Sequence, residues 1–136
     1  MATRRFPGPA GVLALGALFC AVGSLLPVSH ADVTASGLGT TVNEPAAGIF
    51  EITGGTRPNN GANLFHSFGD FTLDTPQVAN FVNGSGLATA NILGRVTGGN
   101  PSSIFGTIDT SSFAGANLFL MNPAGILFGQ IGRAHV

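Results

Sequence analysis

Residues 91–109 read NILGRVTGGNPSSIFGTID, and two alternations lie inside this stretch. Ile92, Gly94 and Val96 fall on one face, with Leu93 and Arg95 opposite; further on, Ile104, Gly106 and Ile108 oppose Phe105, Thr107 and Asp109. A period of two, interrupted by Gly, Asn and Pro, is the pattern of strands joined by tight turns. Similar short apolar runs lie on both sides: AGIFEIT, FGDFTL and VANFV before it, ANLFLMN and AGILFG after it. Their centres are roughly 8 to 14 residues apart, the rhythm of an all-β chain. No window past Ala31 sustains a helical period. The expected fold class is all-β.

Sandwich, barrel and β-solenoid all satisfy that rhythm, and composition separates them. Only 8% of the 136 residues are charged, with 21 Gly, 11 Phe and neither Trp nor Tyr; soluble domains average about a quarter charged. A sandwich salts its outer faces with Lys and Glu, whereas the outward positions here are Thr, Ser, Asn and Gly. In a stacked coil, like residues recur about every 4.8 Å. Like charges repel at that spacing, while Asn and Thr columns hydrogen-bond to themselves. The tetrapeptide ANLF occurs at Ala62–Phe65 and again at Ala116–Phe119, consistent with coils two or more apart. A solenoid is therefore favoured, with about 20 to 25 residues expected per coil.

Charge and thiol content exclude two function classes. The positive charges are Arg4, Arg5, Arg57, Arg95 and Arg133, and the net charge is -1. A nucleic-acid binder would need a basic face. Cys20 stands alone, which leaves no internal disulfide and no Cys-based zinc site.

Both ends of the chain read differently from its body. Arg4-Arg5, an uncharged run from Gly11 to Leu26, Pro27 and the small-x-small exit Ser29-His30-Ala31 form a secretory signal peptide over residues 1–31, with cleavage expected after Ala31. The apolar run is short of the ~20 residues a spanning helix needs. Phe19 before Cys20 argues against a lipoprotein signal, and the residues flanking Arg4-Arg5 argue against twin-arginine export. Ile131–Val136, IGRAHV, back-translates in frame to part of a widely used short-read sequencing adapter, and a Gln130 codon supplies the two preceding bases. Residues 130–136 are therefore expected to be read-through, and Arg133 and His135 carry no functional weight.

Three segments taken in order, FHSFGDFTL, ANILGRVTGGNPSSIFGTI and ANLFLMNPAGILFG, resemble the filamentous-haemagglutinin N-terminal domain, the secretion domain of two-partner-secreted exoproteins. The resemblance covers about Asp32 to Gly129. Its most specific element is the family's Asn-Pro-Asn-Gly-Ile segment, matched by Asn122-Pro123-Ala124-Gly125-Ile126, with Ala124 departing from the commonest pattern. Asn91-Ile92-Leu93 with Arg95-Val96-Thr97-Gly98-Gly99 matches a second segment. The resemblance implies a right-handed parallel β-helix, here truncated at its C-terminal end, that opens a large adhesin- or haemagglutinin-like exoprotein. It implies passage through the general export machinery, then recognition in the periplasm by the POTRA domains of an outer-membrane transporter. The product would be secreted, or held at the cell surface, by a Gram-negative-type bacterium. Adhesion to a host or neighbouring cell surface would belong to downstream repeats.

The notable residues divide between structural and functional roles. Asn122-Pro123 with Gly125 is first a turn, since Pro lacks a donor and Gly permits positive φ; a secretion determinant is its second reading, with Ile126 included. Asn91 is expected to top a strand by bonding neighbouring backbone, with a secretion determinant as its second reading. Arg95 is expected to be a solvated charge or a partner for an acid. His66, without a second His or Cys, is expected to be a surface or half-buried ring and not a metal ligand. Asp70 and Asp74 offer too few oxygens for calcium. Phe65, Phe68, Phe71, Phe81, Phe105, Phe119 and Phe128 are expected to fill the core. No catalytic, cofactor-binding or metal-binding residue is assigned. A polysaccharide-cleaving β-helix would need clustered carboxylates or a carboxylate beside a base, whereas the acids and Arg57 and Arg95 are scattered. A purely structural surface solenoid remains the other alternative.

Overall fold

The computed structural model describes residues 32–129; the expected signal segment and its cleavage site at Ala31, and the tail 130–136, lie outside the described residues. The fold is all-β, as the alternation implies. Its strands are β1 (Val33–Ala35), β2 (Thr40–Ala46), β3 (Ile49–Gly54), β4 (Asn63–Phe71), β5 (Val78–Phe81), β6 (Asn91–Val96), β7 (Ser102–Ile104), β8 (Thr107–Asp109), β9 (Asn117–Met121) and β10 (Ile126–Phe128). They form three sheets, ordered β1-β4-β6-β9, β2-β3-β5-β8 and β10-β7.

The sheets are mixed, a correction to the all-parallel expectation. β1 pairs antiparallel with β4, and β2 antiparallel with β3. Every later pairing is parallel. From β3 onward the chain visits the sheets in a repeating order: β3, β4; then β5, β6, β7; then β8, β9, β10. An isolated parallel bridge between Leu73 and Ile104 places Leu73 beside β7 in the same way. Asn63, Asn91 and Asn117 share one register position, and Leu64, Ile92 and Leu118 the next. The two ANLF copies thus lie two strands apart, with Ala90–Leu93 between them. Stacked asparagines are 28 and 26 residues apart in sequence. This exceeds the expected spacing because irregular loops precede β6 and β9 and lengthen each repeat.

Alternation sets the core. Phe50 and Ile52 of β3, Leu64, Phe68 and Phe71 of β4, Ala79 and Phe81 of β5, Ile92 and Val96 of β6, and Ile104 of β7 are buried together. The Phe68 ring meets Phe71 and Phe81 edge-on, at centroid distances of 5.0 and 6.2 Å. Each fully buried Phe contributes ~1.5–3 kcal/mol through the apolar area it removes from water. Gly94 sits in the inward column between His66 and Leu120. A Cβ there would come within 3.1 Å of the Phe68 ring and 3.3 Å of Leu120, so its missing side chain makes room for the aromatic cluster.

Two sequence expectations fail here. SSIFGTID is not one strand but two in different sheets, β7 and β8, broken at Phe105-Gly106. Both of those backbone N–H groups donate to the Leu73 carbonyl, and the Gln77 carbonyl occupies the space a Gly106 Cβ would need. The phenylalanines also split. Phe68, Phe71 and Phe81 are buried, whereas Phe65 is half-buried and Phe105, Phe119 and Phe128 are exposed. Phe65 and Phe119 share an outward register position, and Phe105 sits at the corner. Phe128 pairs with buried Ile104, yet it lies on an edge strand and is 61% exposed.

Candidate functional site

Asn122 follows β9 directly and starts the turn into β10. The Gly125 N–H donates to the Asn122 carbonyl at 3.0 Å, closing a four-residue turn, and the Ala124 N–H donates to Asn122 Oδ1 at 2.9 Å. Gly125 has φ 109°, where any Cβ would be strained. The Asn122 amide Nδ2 reaches across to the previous layer, donating to the Asn100 carbonyl and the Ser102 hydroxyl, each at 2.9 Å. Ser102 is fully buried, and its N–H donates to the Gly125 carbonyl at 3.0 Å. Asn122 thus builds its own turn and fastens it to the turn below. Ile126 is half-buried and stands in register with Ser102.

The turn below has the same chemistry. Asn100-Pro101-Ser102 leads into β7 as Asn122-Pro123-Ala124-Gly125 leads into β10. Asn100 Nδ2 donates to Asp70 Oδ1 at 2.9 Å, and the Asp70 N–H donates to Thr34 Oγ1 at 2.8 Å. A polar chain therefore runs from Thr34 through Asp70 and Asn100 to Asn122. Sequence reading missed Asn100 and Ser102, although the second Asn-Pro dipeptide was a usable signal.

Asn91 opens β6, and its role differs from the one expected. Its partners are other asparagines, not neighbouring backbone: Asn91 Nδ2 donates to Asn63 Oδ1 at 2.9 Å, and Asn117 Nδ2 donates to Asn91 Oδ1 at 3.1 Å. The ladder meets β9 at its first residue, while Asn122 follows its last. The two segments are therefore roughly 16 Å apart at ~3.3 Å per residue and form no common cluster.

The remaining candidates are scattered. Arg95 is exposed, and its Nε donates to the Ser67 hydroxyl at 3.2 Å; it meets no carboxylate among the described residues. Asp109 lies on β8 in another sheet. The Ser111 N–H and hydroxyl hold its carboxyl below the usual carboxylate range, so it stays an ionised acceptor. His66 is the clearest correction, because it is 1% exposed. Its ring stacks on Phe68 at 6.0 Å and meets the Phe81 edge at 5.6 Å, with Nδ1 3.2 Å from the Thr40 hydroxyl. Burial, with the Arg57 guanidinium nearby, lowers its pKa from 6.5 to about 4. Among the described residues no three His, Cys, Asp or Glu side chains gather as a metal site.

A cleft of about 300 Å³ opens beside β3 and β5, lined in part by Arg57, Asn60, Asn83, Leu87 and Phe113 and by no carboxylate or histidine. Two of its polar side chains are already engaged. Arg57 donates to the Gly61 carbonyl at 3.2 Å and to the Thr89 hydroxyl, tying two loops together. Asn83 binds the Leu87 carbonyl at 3.0 Å and accepts from Ser85 and Gly86.

An all-β stack of strands with polar turns fastened layer to layer has the build of a structural or interaction module. The family profile of the TPS secretion domain matches residues 31–136, and the chain belongs to that family. It is an N-terminal secretion module of a two-partner-secreted protein, exported through the outer membrane by a partner transporter in that membrane. The family consists of secretion modules, not enzymes. No curated protein and no solved structure matches the chain. No helix among the described residues is long and apolar enough to cross a membrane.

Proposed function

We propose that residues 32–129 form the start of a right-handed parallel β-helix that addresses a large adhesin- or haemagglutinin-like exoprotein to its transporter. The repeated visiting order of the three sheets supports the helical reading, with β1 and β2 as an antiparallel first layer. Residues 1–31 act as a signal peptide cut after Ala31 by the general export pathway, and residues 130–136 are adapter read-through. In the periplasm, the transporter's POTRA domains recognise the module. Asn122, Pro123, Gly125 and Ile126 are the main secretion determinants, with Asn91 as a second one, and the domain itself has no enzymatic activity. Adhesion to a host or neighbouring cell is the work of downstream repeats.

The observation that carries this reading is the double use of Asn122, which shapes its own turn while holding the Asn100–Ser102 turn beneath it. In cells carrying the transporter, Asn122→Ile should lower culture-supernatant yield at equal cell-associated expression. Ala124→Ser, at an exposed position that contributes only a backbone N–H, should leave the yield near wild type. Equal yields from both variants would remove Asn122 from the secretion determinants.

A further inference from the structure

Ten asparagines occur in the chain, and the residue after each decides what its carboxamide can do. Cyclisation onto the next backbone nitrogen requires a nitrogen that carries a proton and is open to approach. Asn100 and Asn122 precede proline, which has no N–H. Six others precede Glu, Asn, Leu, Phe or Ile, whose side chains crowd the approach. Asn60-Gly61 and Asn83-Gly84 alone present an unencumbered glycine nitrogen.

The fold separates these two. Asn83 is half-buried and its carboxamide is held at both ends. Its Nδ2 donates to the Leu87 carbonyl at 3.0 Å, while Oδ1 accepts from the Ser85 hydroxyl and the Gly86 N–H, each at 3.1 Å. Asn60 is exposed, and nothing among the described residues holds its carboxamide. It ends the single 3₁₀ turn Pro58–Asn60, in which Asn59 and Asn60 have φ of 54° and 53°. Asn tolerates that conformation singly, but two in succession are unfavourable. Opening the turn therefore relieves strain while it breaks the bond from the Gly61 N–H to the Pro58 carbonyl at 3.0 Å. Asn60 lines the same cleft as Arg57, three residues before it on this turn. The Arg57 guanidinium there has neutral partners, the Gly61 and Ala88 carbonyls and the Thr89 hydroxyl.

We propose that Asn60 is a site of spontaneous deamidation in the folded protein, and that the reaction sets a carboxylate beside Arg57 in the cleft. The Gly61 nitrogen bonds to Asn60 Cγ and gives up its proton; the Cγ–Nδ2 bond breaks and ammonia leaves, closing a cyclic imide. Water then opens the ring at either carbonyl, giving aspartate or an isoaspartyl linkage and one added negative charge. The purified full chain, incubated at neutral pH and mapped by mass spectrometry, should convert at Asn60 about tenfold or more faster than at Asn83. In urea, where Asn83 loses its hydrogen bonds, the two rates should converge. Gly61→Ala should all but stop conversion at Asn60. A Cβ there meets only the Pro58 carbonyl, at 3.1 Å, so a small shift keeps the turn. By NMR titration, the new carboxyl of Asn60→Asp should lie below the ordinary aspartate range, and adding Arg57→Gln should restore the ordinary value. Equal conversion of both asparagines in the folded chain, or none at Asn60, would overturn the site. An unshifted carboxyl in Asn60→Asp would overturn its placing beside Arg57. Neither result touches the secretion reading, which the export assay of Asn122→Ile judges separately.

Discussion

His66 shows what one buried ring does to a chain with so few charges. It is packed against Phe68 and Phe81, and the nearby Arg57 guanidinium adds to the penalty of charging it. The folded pKa of about 4 lies below the ordinary 6.5. The stability this ring contributes is therefore fully present above pH 6.5 and is lost as pH falls towards 4. Urea denaturation at pH 7 and at pH 4 should differ by about 3 kcal/mol through this residue alone. In His66→Gln, which cannot titrate, that part of the pH dependence should vanish; an unchanged pH slope would place the acid sensitivity elsewhere. At Asn122 the same scale gives a different lesson. Its turn was legible from Asn-Pro and Gly125, but its partners Asn100 and Ser102 were not. That pairing depends on stacking residues 22 apart in the chain at this corner, which no local pattern encodes.

At the scale of the strand, the three stacked asparagines act as one ladder. Asn91 is the middle rung, donating to Asn63 and accepting from Asn117. Removing it breaks two bonds, whereas removing Asn63 breaks one. Asn91→Ala should cost about 1–2 kcal/mol in chemical denaturation and Asn63→Ala about half as much. Equal costs would mean that water replaces the ladder freely. Alternation revealed β3, β6 and β9, because each has one face in the core and one outside. It missed β2, TTVNEPA, where only Val42 packs against the core from the edge of a sheet. It also ran straight through the corner at Phe105-Gly106. There the period of two continues in the sequence, and contacts to Leu73 and Gln77 from a distant part of the chain impose the break.

For the molecule as a whole, stability is a sum over neighbouring layers. β8, β9 and β10 are each the last strand of their sheet in the described residues. Leu118, Leu120 and Ile126 are only partly buried there, while Leu127 and Phe128 are 58% and 61% exposed. Such an edge offers unpaired backbone groups beside apolar side chains, a template for another strand. The chain should therefore self-associate as concentration rises, and Leu127→Lys should shift it towards monomer, since an edge lysine blocks strand addition. Sedimentation velocity across a concentration series distinguishes the two, and a wild type that remains monomeric would show that this edge is protected.

The ladder that joins Asn63, Asn91 and Asn117 also has a mechanical meaning. Its bonds, like the backbone bonds of β4, β6 and β9, run across the strands from one to the next. Force applied along that line loads a single rank of bonds before any other feels it, so the strands would peel off one after another at low tension. Strands dragged lengthwise past each other would instead share the load and hold. The build that lets a layer be added one strand at a time thus also lets it be drawn apart in the same order.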